Sequence, residues 1–401
     1  MTEGDGVTFA ACPFFIVTGI GLCYNGFTAL MHYIGEMRMN GYYIGKLTEE
    51  MQREGFDAVL VAPGEELEFL TGFSPMLCER FQGLFVKADG SCFYICNLLY
   101  EGEFRKAFPE SIPLYTWFDG DVMTEKVCAA LIKEGLSGAV IGVGGTVPAF
   151  SLLEIGEKMP VTFKSGKAAL ERMRMIKTPE EMDALRDSAA IADRVFEEII
   201  SYVKPGMTEG DAAAFLMKRM TELGGKRPEC IAAAGANASY PHYMGNSAVI
   251  GERDSLLLDF GCTYNGLYSD MTRMLYFGEP TEEERNLYNL VRRANEEAEE
   301  LCISGAFVPD IDARAREVLD EQGYAPTLLN RLGHGIGYTV HEAPDIKQSN
   351  PIRLAPGMAF SIEPGIYIAG RTGIRVEDIV LINEHGEREV LNRSPKDMIV
   401  L

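Results

Sequence analysis

The sequence predicts an α+β fold in its last 230 or so residues, with helices packed behind a curved antiparallel sheet, preceded by a smaller α/β domain. Three observations predict it. Helix-start signals recur through residues 172–401. Two strand-turn-strand stretches in the same region each carry two carboxylates. Residues 39–167 instead alternate short apolar runs with helical patterns.

In the amino-terminal part, residues 55–63 and 138–142 read as buried strands, and 84–99 as a hairpin turning at Asp89-Gly90. Helical spacing appears at 45–54 and 122–134. Gly142-Val143-Gly144-Gly145 lacks the lysine-serine pair and the GxGxxG spacing of a phosphate loop, so it reads as a plain turn. Residues 164–172 read as the linker to the second part. There, Thr178-Pro179-Glu180-Glu181 is a capping box with proline at the first helical position, opening a helix that Pro205-Gly206 stops. Thr208 with Asp211 caps a second helix ending at Gly224-Gly225. Thr281 with Glu284 opens a third, and Asp310 a fourth, running to Gly323.

Residues 255–277 are apolar and β-rich, broken at Asn265-Gly266, the strongest short-range hairpin signal. With these two as the loop, Tyr264 pairs with Leu267, and Asp259 falls opposite Thr272. Asp259, Asp270 and Thr272 then share one face, with the carboxylates about 7–8 Å apart as diagonal neighbours. Cys262 points the other way and reads as structural. The second stretch runs from 359 to 368, turns at Gly370-Arg371-Thr372-Gly373 and returns from 374 to 382. It places Glu363 on one arm and Glu377 on the other, with Arg375 on the face of Glu377. Two hairpins of two carboxylates each suggest a duplicated unit with pseudo-two-fold symmetry.

Two aspartates in an ordinary hairpin are the plainer reading. Like charges on one apolar face, however, repel unless a cation compensates them. Asp259, Asp270, Glu363 and Glu377, joined by His334 in Gly333-His334-Gly335-Ile336-Gly337, supply four carboxylates and one imidazole. Such a set holds two divalent cations, because bridging carboxylates serve both ions. Four oxygen donors against one nitrogen make a hard site that suits manganese, with cobalt or zinc as alternatives.

Taken in order, the five ligand blocks, Pro241-His242-Tyr243 and His341-Glu342-Ala343-Pro344 resemble the Xaa-Pro dipeptidase (prolidase) and aminopeptidase P branch of the pita-bread metallopeptidases. The resemblance covers residues 172–401, and 39–167 resemble that branch's small amino-terminal domain, which methionine aminopeptidases lack. It implies that Asp259 binds one metal, Asp270 and Glu377 bridge both, and His334 and Glu363 bind the other. It further implies that Glu363 accepts a proton from the attacking water, that His242 and His341 hydrogen-bond the scissile amide and the tetrahedral intermediate, and that Arg375 stands beside the last ligand. The implied reaction is metal-assisted amide hydrolysis of Xaa-Pro bonds in short peptides. A dipeptidase is favoured over an aminopeptidase P acting on longer peptides, and a homodimer is expected. Two other readings stay open. One is an amidohydrolase of a small non-peptide substrate. The other is a binding protein without activity, which loss of ligands would signal; all five are present.

The chain departs from the family at Asn330, where a histidine is usual four residues before the ligand histidine. Asparagine can donate and accept a hydrogen bond but cannot become a cation near neutral pH. This departure bears on substrate preference and turnover rather than on metal binding. Of the other histidines, His385 reads as an exposed turn and His32 has no chemical neighbours.

A chain of 401 residues exceeds what one core usually holds. A net charge of −22 argues against nucleic-acid binding. Nine cysteines without a Cys-x-x-Cys pair suit reduced thiols in the cytoplasm. Residues 1–38 are expected to be an extension. Positions 7–35 carry no formal charge, but Pro13, Asn25 and an acidic leader fit a signal peptide or membrane span poorly. A later start at Met37 or Met39, a membrane or export segment, and an ordered arm remain alternatives. No membrane association is expected.

Overall fold

The computed structural model describes residues 39–401, so the expectation for residues 1–38 lies outside the described residues. Helix α1 (Gly41–Glu54) starts at Asn40, whose side chain accepts from the Tyr43 backbone N–H. It is followed by β1 (Ala58–Val61), α2 (Glu65–Thr71), β2 (Gly83–Lys87), β3 (Cys92–Asn97), α3 (Glu101–Ala107) and β4 (Leu114–Trp117). Then come α4 (Met123–Lys133), β5 (Val140–Val143), α5 (Ala149–Lys158), β6 (Thr162–Ser165) and α6 (Lys167–Met175). The six strands form one mixed sheet in the order β4-β3-β2-β1-β5-β6. Val59 and Val61 of β1 enter the core beneath α1, α3 and α6, while Ala58 and Leu60 enter the core beneath α4 and α5. Helices on both faces explain why β1 is apolar at every position. The predicted β2–β3 hairpin turns at Asp89-Gly90, where Asp89 accepts from the Ser91 backbone N–H.

Residues 164–172 are not a linker. They complete β6 and form most of α6, and the chain crosses to the next helix over 176–178. The charges at Lys164, Lys167, Glu171 and Arg172 hid an apolar face. Ala169, Leu170 and Met173 share one side of α6 and pack on α1, while Arg172 reaches Glu50 and Glu54 of α1 at 2.6 and 2.5 Å.

The second part opens with α7 (Pro179–Tyr202) and α8 (Glu209–Glu222), both starting from the predicted capping boxes. Strands β7 (Lys226–Ala234), β8 (Asp254–Tyr264), β9 (Leu267–Tyr268) and β10 (Met271–Phe277) follow. Next are α9 (Glu282–Glu300), again from its predicted box, and α10 (Val308–Asp320). The last helix starts two residues before Asp310, because Pro309 sits in the first turn, where no N–H is needed. Strands β11 (Gly333–Gly335), β12 (Glu342–Ile346), β13 (Ala359–Ile362), β14 (Gly365–Ile368), β15 (Thr372–Arg375), β16 (Asp378–Ile382), β17 (Arg388–Val390) and β18 (Ile399–Val400) complete it. Each half thus runs from two helices into strands that end in a carboxylate-bearing hairpin, with one strand (β7) before the hairpin in the first half and two (β11 and β12) in the second.

The two copies form separate sheets, β18-β10-β8-β7 and β12-β11-β13-β16-β17, joined where Thr272 bridges Glu377. On β8, Leu258, Phe260 and Cys262 pack beneath α7 and α8, so Cys262 does face away from the site. Leu257 on the other face joins the core beneath α9 and α10. Asp259, next on that face, emerges at the seam between the sheets. This is the pita-bread architecture, with helices behind a curved sheet and a cleft at its centre.

Candidate metal centre

The site is a row of residues crossing the seam. Strand register sets Asp259 opposite Thr272, as the Asn265-Gly266 hairpin predicts. The ladder is interrupted at Ser269–Asp270, where the Ser269 backbone N–H donates to the Cys262 carbonyl. Gly261 allows this pinch, since a Cβ there would lie 1.8 Å from the Ser269 carbonyl oxygen. Asp270 therefore leaves the ladder yet keeps the face it shares with Asp259.

The second hairpin breaks in the same manner. Ile362 faces Asp378 below its break and Gly365 faces Arg375 above it, so the continuing register sets Glu363 opposite Glu377. The hairpin turns over 369–371, with strand resuming at Thr372 rather than at 374. Across the seam, the Glu377 backbone N–H donates to the Thr272 carbonyl, and the Thr272 hydroxyl donates to Glu377 Oε2 at 2.6 Å. His334 arrives on β11, whose Gly333 lies so close to Ser361 that any Cβ would strike its carbonyl oxygen at 1.8 Å. The Ser361 hydroxyl then accepts from the His334 backbone N–H at 3.0 Å.

Asp270, His334 and Glu377 present ligand atoms that all lie within 4.8 Å of one another. Nε2 of His334 is 3.6 Å from Asp270 Oδ2 and 3.4 Å from Glu363 Oε1. Asp259 Oδ2 turns to Arg375 Nη2 at 2.5 Å. Arg375 is committed on every side. Its Nε donates to Thr272 Oγ1 at 2.9 Å and its Nη1 to the Tyr367 hydroxyl at 2.8 Å and the Pro241 carbonyl at 3.4 Å.

Burial and mutual repulsion among Glu377, Asp259 and Glu363 hold the Asp270 carboxyl well above the usual range. Burial, with Glu363 and Asp259, does the same to Glu377. Burial pushes Glu363 up to about 7 against the pull of Arg375. His334 falls to about 3, through burial and the nearby His341 and Arg331, so it is a neutral imidazole with a free lone pair. Four carboxylates thus share one guanidinium at a buried seam. That deficit of positive charge, with oxygen-rich donors converging on it, fits divalent cations.

The remaining predicted residues stand around this cluster. The His341 ring meets His334 edge-on, with centroids 4.3 Å apart. Its basicity is lowered by burial and by Arg331 and His242. His242 is exposed on the segment before β8 and, among the described residues, makes no hydrogen bond or ion pair with the carboxylates; the next residue, Tyr243, is anchored to Glu209 by its hydroxyl at 3.0 Å. Asn330 Nδ2 donates to Glu363 Oε2 at 3.1 Å. Tyr367 was missed from sequence, although strand parity puts it on the face of Glu363. His385 is in the exposed turn expected of it.

Residues 183–384 match the model of metallopeptidase family M24, and residues 44–176 that of the creatinase/prolidase N-terminal domain. The chain is 34% identical over 351 residues to a protein of Mycobacterium bovis named "Probable dipeptidase PepE", covering 86% of this chain and 92% of that one. It is 31% identical over 361 residues to the Xaa-Pro dipeptidase of Pyrococcus furiosus, covering 88% and 98%. The crystal structure of a prolidase from Thermococcus sibiricus superposes with a TM-score of 0.83 at 30% identity, covering 92% of this chain and all of that one. With these similarities spanning both halves, and the carboxylate row intact at the seam, the chain belongs to metallopeptidase family M24.

Proposed function

We propose that this metallopeptidase is a Xaa-Pro dipeptidase, hydrolysing the bond before proline in short peptides. The observation that carries the reading is the row of carboxylates meeting His334 at the seam, with the buried Arg375 paired to Asp259. The names of its relatives, a Xaa-Pro dipeptidase and a prolidase, supply the proline preference. Asp259, Asp270, His334, Glu363 and Glu377 would hold two divalent ions. Asp270 and Glu377 would serve both, Asp259 one, and His334 and Glu363 the other. The hard donor set favours manganese over cobalt or zinc. When bound, the ions would acidify water and polarise the substrate carbonyl.

The chain's own groups do the rest. Glu363 holds and releases a proton near neutral pH, with Asn330 Nδ2 on Oε2 and the Ser361 hydroxyl 3.4 Å from Oε1 fixing its plane. Arg375 keeps Asp259 and Thr272 in line and needs no rearrangement to do so. His341 offers an N–H beside the cluster for the carbonyl oxygen as negative charge develops there. His242, on the exposed segment across the cleft, would bond the amide on substrate binding. An Xaa-Pro bond has no amide N–H of its own, so the pocket reads ring shape and supplies donors.

Among the described residues no helix is long and apolar enough to cross a membrane. The seven described cysteines are free thiols, which supports a cytoplasmic setting. Exposed Met76, Leu77, Leu98, Leu99, Phe118 and Val122 on the amino-terminal part favour a homodimer. Metal analysis joined to assays on Ala-Pro and Ala-Pro-Ala tests the proposal. It predicts about two manganese ions per chain and faster turnover of Ala-Pro. A clear preference for the tripeptide would make the enzyme an aminopeptidase P, and failure to cut either would favour a non-peptide amide.

A further inference from the structure

A dipeptidase must hold a free carboxylate one residue beyond the scissile bond, and the structure restricts which cation can do so. Arg375 cannot. Its guanidinium is buried and divided among Asp259, Thr272, Tyr367 and the Pro241 carbonyl. Arg273 is buried behind the seam, spent on Asp378 and on carbonyls. Lys177 is buried against Glu342.

Beside the metal cluster lies an open cleft of about 370 Å³ whose walls include Arg316, Arg331, Lys347 and Asn330. Asn330 is the shared wall, since its Nδ2 reaches Glu363 on the cluster side. Three cations line the cleft region against two carboxylates. Asp312 occupies Arg316 at 2.7 Å, while Asp345 is shared between Arg331 at 2.9 Å and Lys347 at 2.5 Å. One positive charge is therefore left uncompensated. Arg331 and Lys347 share Asp345, and Arg331 is the one that adjoins Asn330 in the wall towards Glu363. Its side chain retains 32% exposure, and among the described residues Asp345 is its one ion-pair partner, which cannot occupy all five of its N–H donors. Its field reaches His334, His341 and Glu363, so it stands within electrostatic range of the reacting groups. Asp345 fixes the guanidinium in place, much as a partner orients any long side chain that would otherwise have to be ordered on binding.

We propose that Arg331, held by Asp345, is the anchor for the substrate's terminal carboxylate and that the cleft beside Asn330 is the subsite for it. This rests on the Xaa-Pro reading of the adjoining centre and deepens it by assigning the residue that selects dipeptides. Here Asn330 has a second consequence. A neutral amide, rather than a cation, separates the anchor from Glu363.

The test separates this inference from the reading beneath it. Hydrolysis of Ala-Pro by the metal-loaded wild type tests the reading. Calorimetric binding of proline and of prolinamide to the same protein tests the anchor without any bond being cut. The wild type is expected to bind proline about tenfold more tightly than prolinamide or better, the factor lost with one charge-assisted hydrogen bond. Arg331→Met should collapse that ratio towards one and raise KM for Ala-Pro by a similar factor, with metal content retained. Arg331→Lys should keep part of the ratio, and it serves as the second variant should Arg331→Met fold poorly. Equal binding of the two ligands by the wild type, or an unchanged ratio in Arg331→Met, would overturn the proposal.

Discussion

Glu377 ties the two halves of the site together. It accepts the Thr272 hydroxyl, its backbone joins the two sheets, and burial with Glu363 and Asp259 raises its pKa well above normal. Glu377→Ala should therefore abolish activity and also lower metal content. His242→Ala should leave the metals in place and lower kcat by about 10²–10³, the usual effect of losing one donor to a developing oxyanion. Elemental analysis of both variants checks the contrast, and loss of metal in His242→Ala would reverse the assignment. The same raised values predict proton traffic. Burial and like-charged neighbours push Asp270 and Glu377 towards the protonated form in the metal-free protein, whereas a bound cation requires carboxylates. Manganese titration at pH 7 in buffers of differing ionisation enthalpy should show net proton release. None would mean that the carboxylates are already ionised.

The hairpins explain why so much of the centre is legible in the sequence. Asn265-Gly266 fixes a register, and every face assignment on β8 follows from it by counting twos, including Thr272 opposite Asp259 and Cys262 turned away. Parity failed to single out Tyr367 only because nothing marked a tyrosine as chemically required until Arg375 was seen to need a partner. The breaks at Ser269–Asp270 and at Glu363 were not legible, because parity assigns faces but not where backbones close in: Ser269 pinches onto Gly261 and Cys262 within its hairpin, and the Glu363 N–H turns to the Leu332 carbonyl. The linker assignment failed for a related reason: the apolar side of α6 has meaning only against α1. Gly261 carries the break in the first hairpin. Gly261→Ala would drive a methyl into the Ser269 carbonyl, at 1.8 Å before relaxation, and shift Asp270. We expect a loss of about 1–3 kcal/mol in stability and weaker metal binding. Urea unfolding with and without manganese measures both. A variant as stable and as metal-competent as the wild type would show that the pinch does not set Asp270.

Across the whole molecule, buried polar groups tie distant segments to the seam. The Tyr43 hydroxyl of the amino-terminal part donates to Glu181 at 2.5 Å, and Lys177 pairs with Glu342, next to His341. Behind the carboxylate row, Asn295 of α9 donates to the Ile362 carbonyl at 2.8 Å, so the helix holds the strand that delivers Glu363. Lys396, near the end of the chain, joins this network by donating to Asn295 and Glu299 at 2.6 and 2.7 Å, and it lies 2.8 Å from Asp378. Glu299 is the member whose charge costs most. Burial, then repulsion from Asp378, raises its pKa from the ordinary 4.5 to about 7 despite Lys396. Between those pH values the folded chain binds more protons at Glu299 than the unfolded chain does. The group's contribution to stability therefore declines as pH rises from about 4.5 to about 7 and is constant outside that window. Glu299→Gln keeps an acceptor for Lys396 and removes the titration. Measured as the difference from wild type, which cancels the metal-site carboxylates, its stability should gain progressively across that interval and then level off. A difference that stays flat from pH 4.5 to 7 would mean that Lys396 fully compensates Glu299 and that the network is an ion pair throughout.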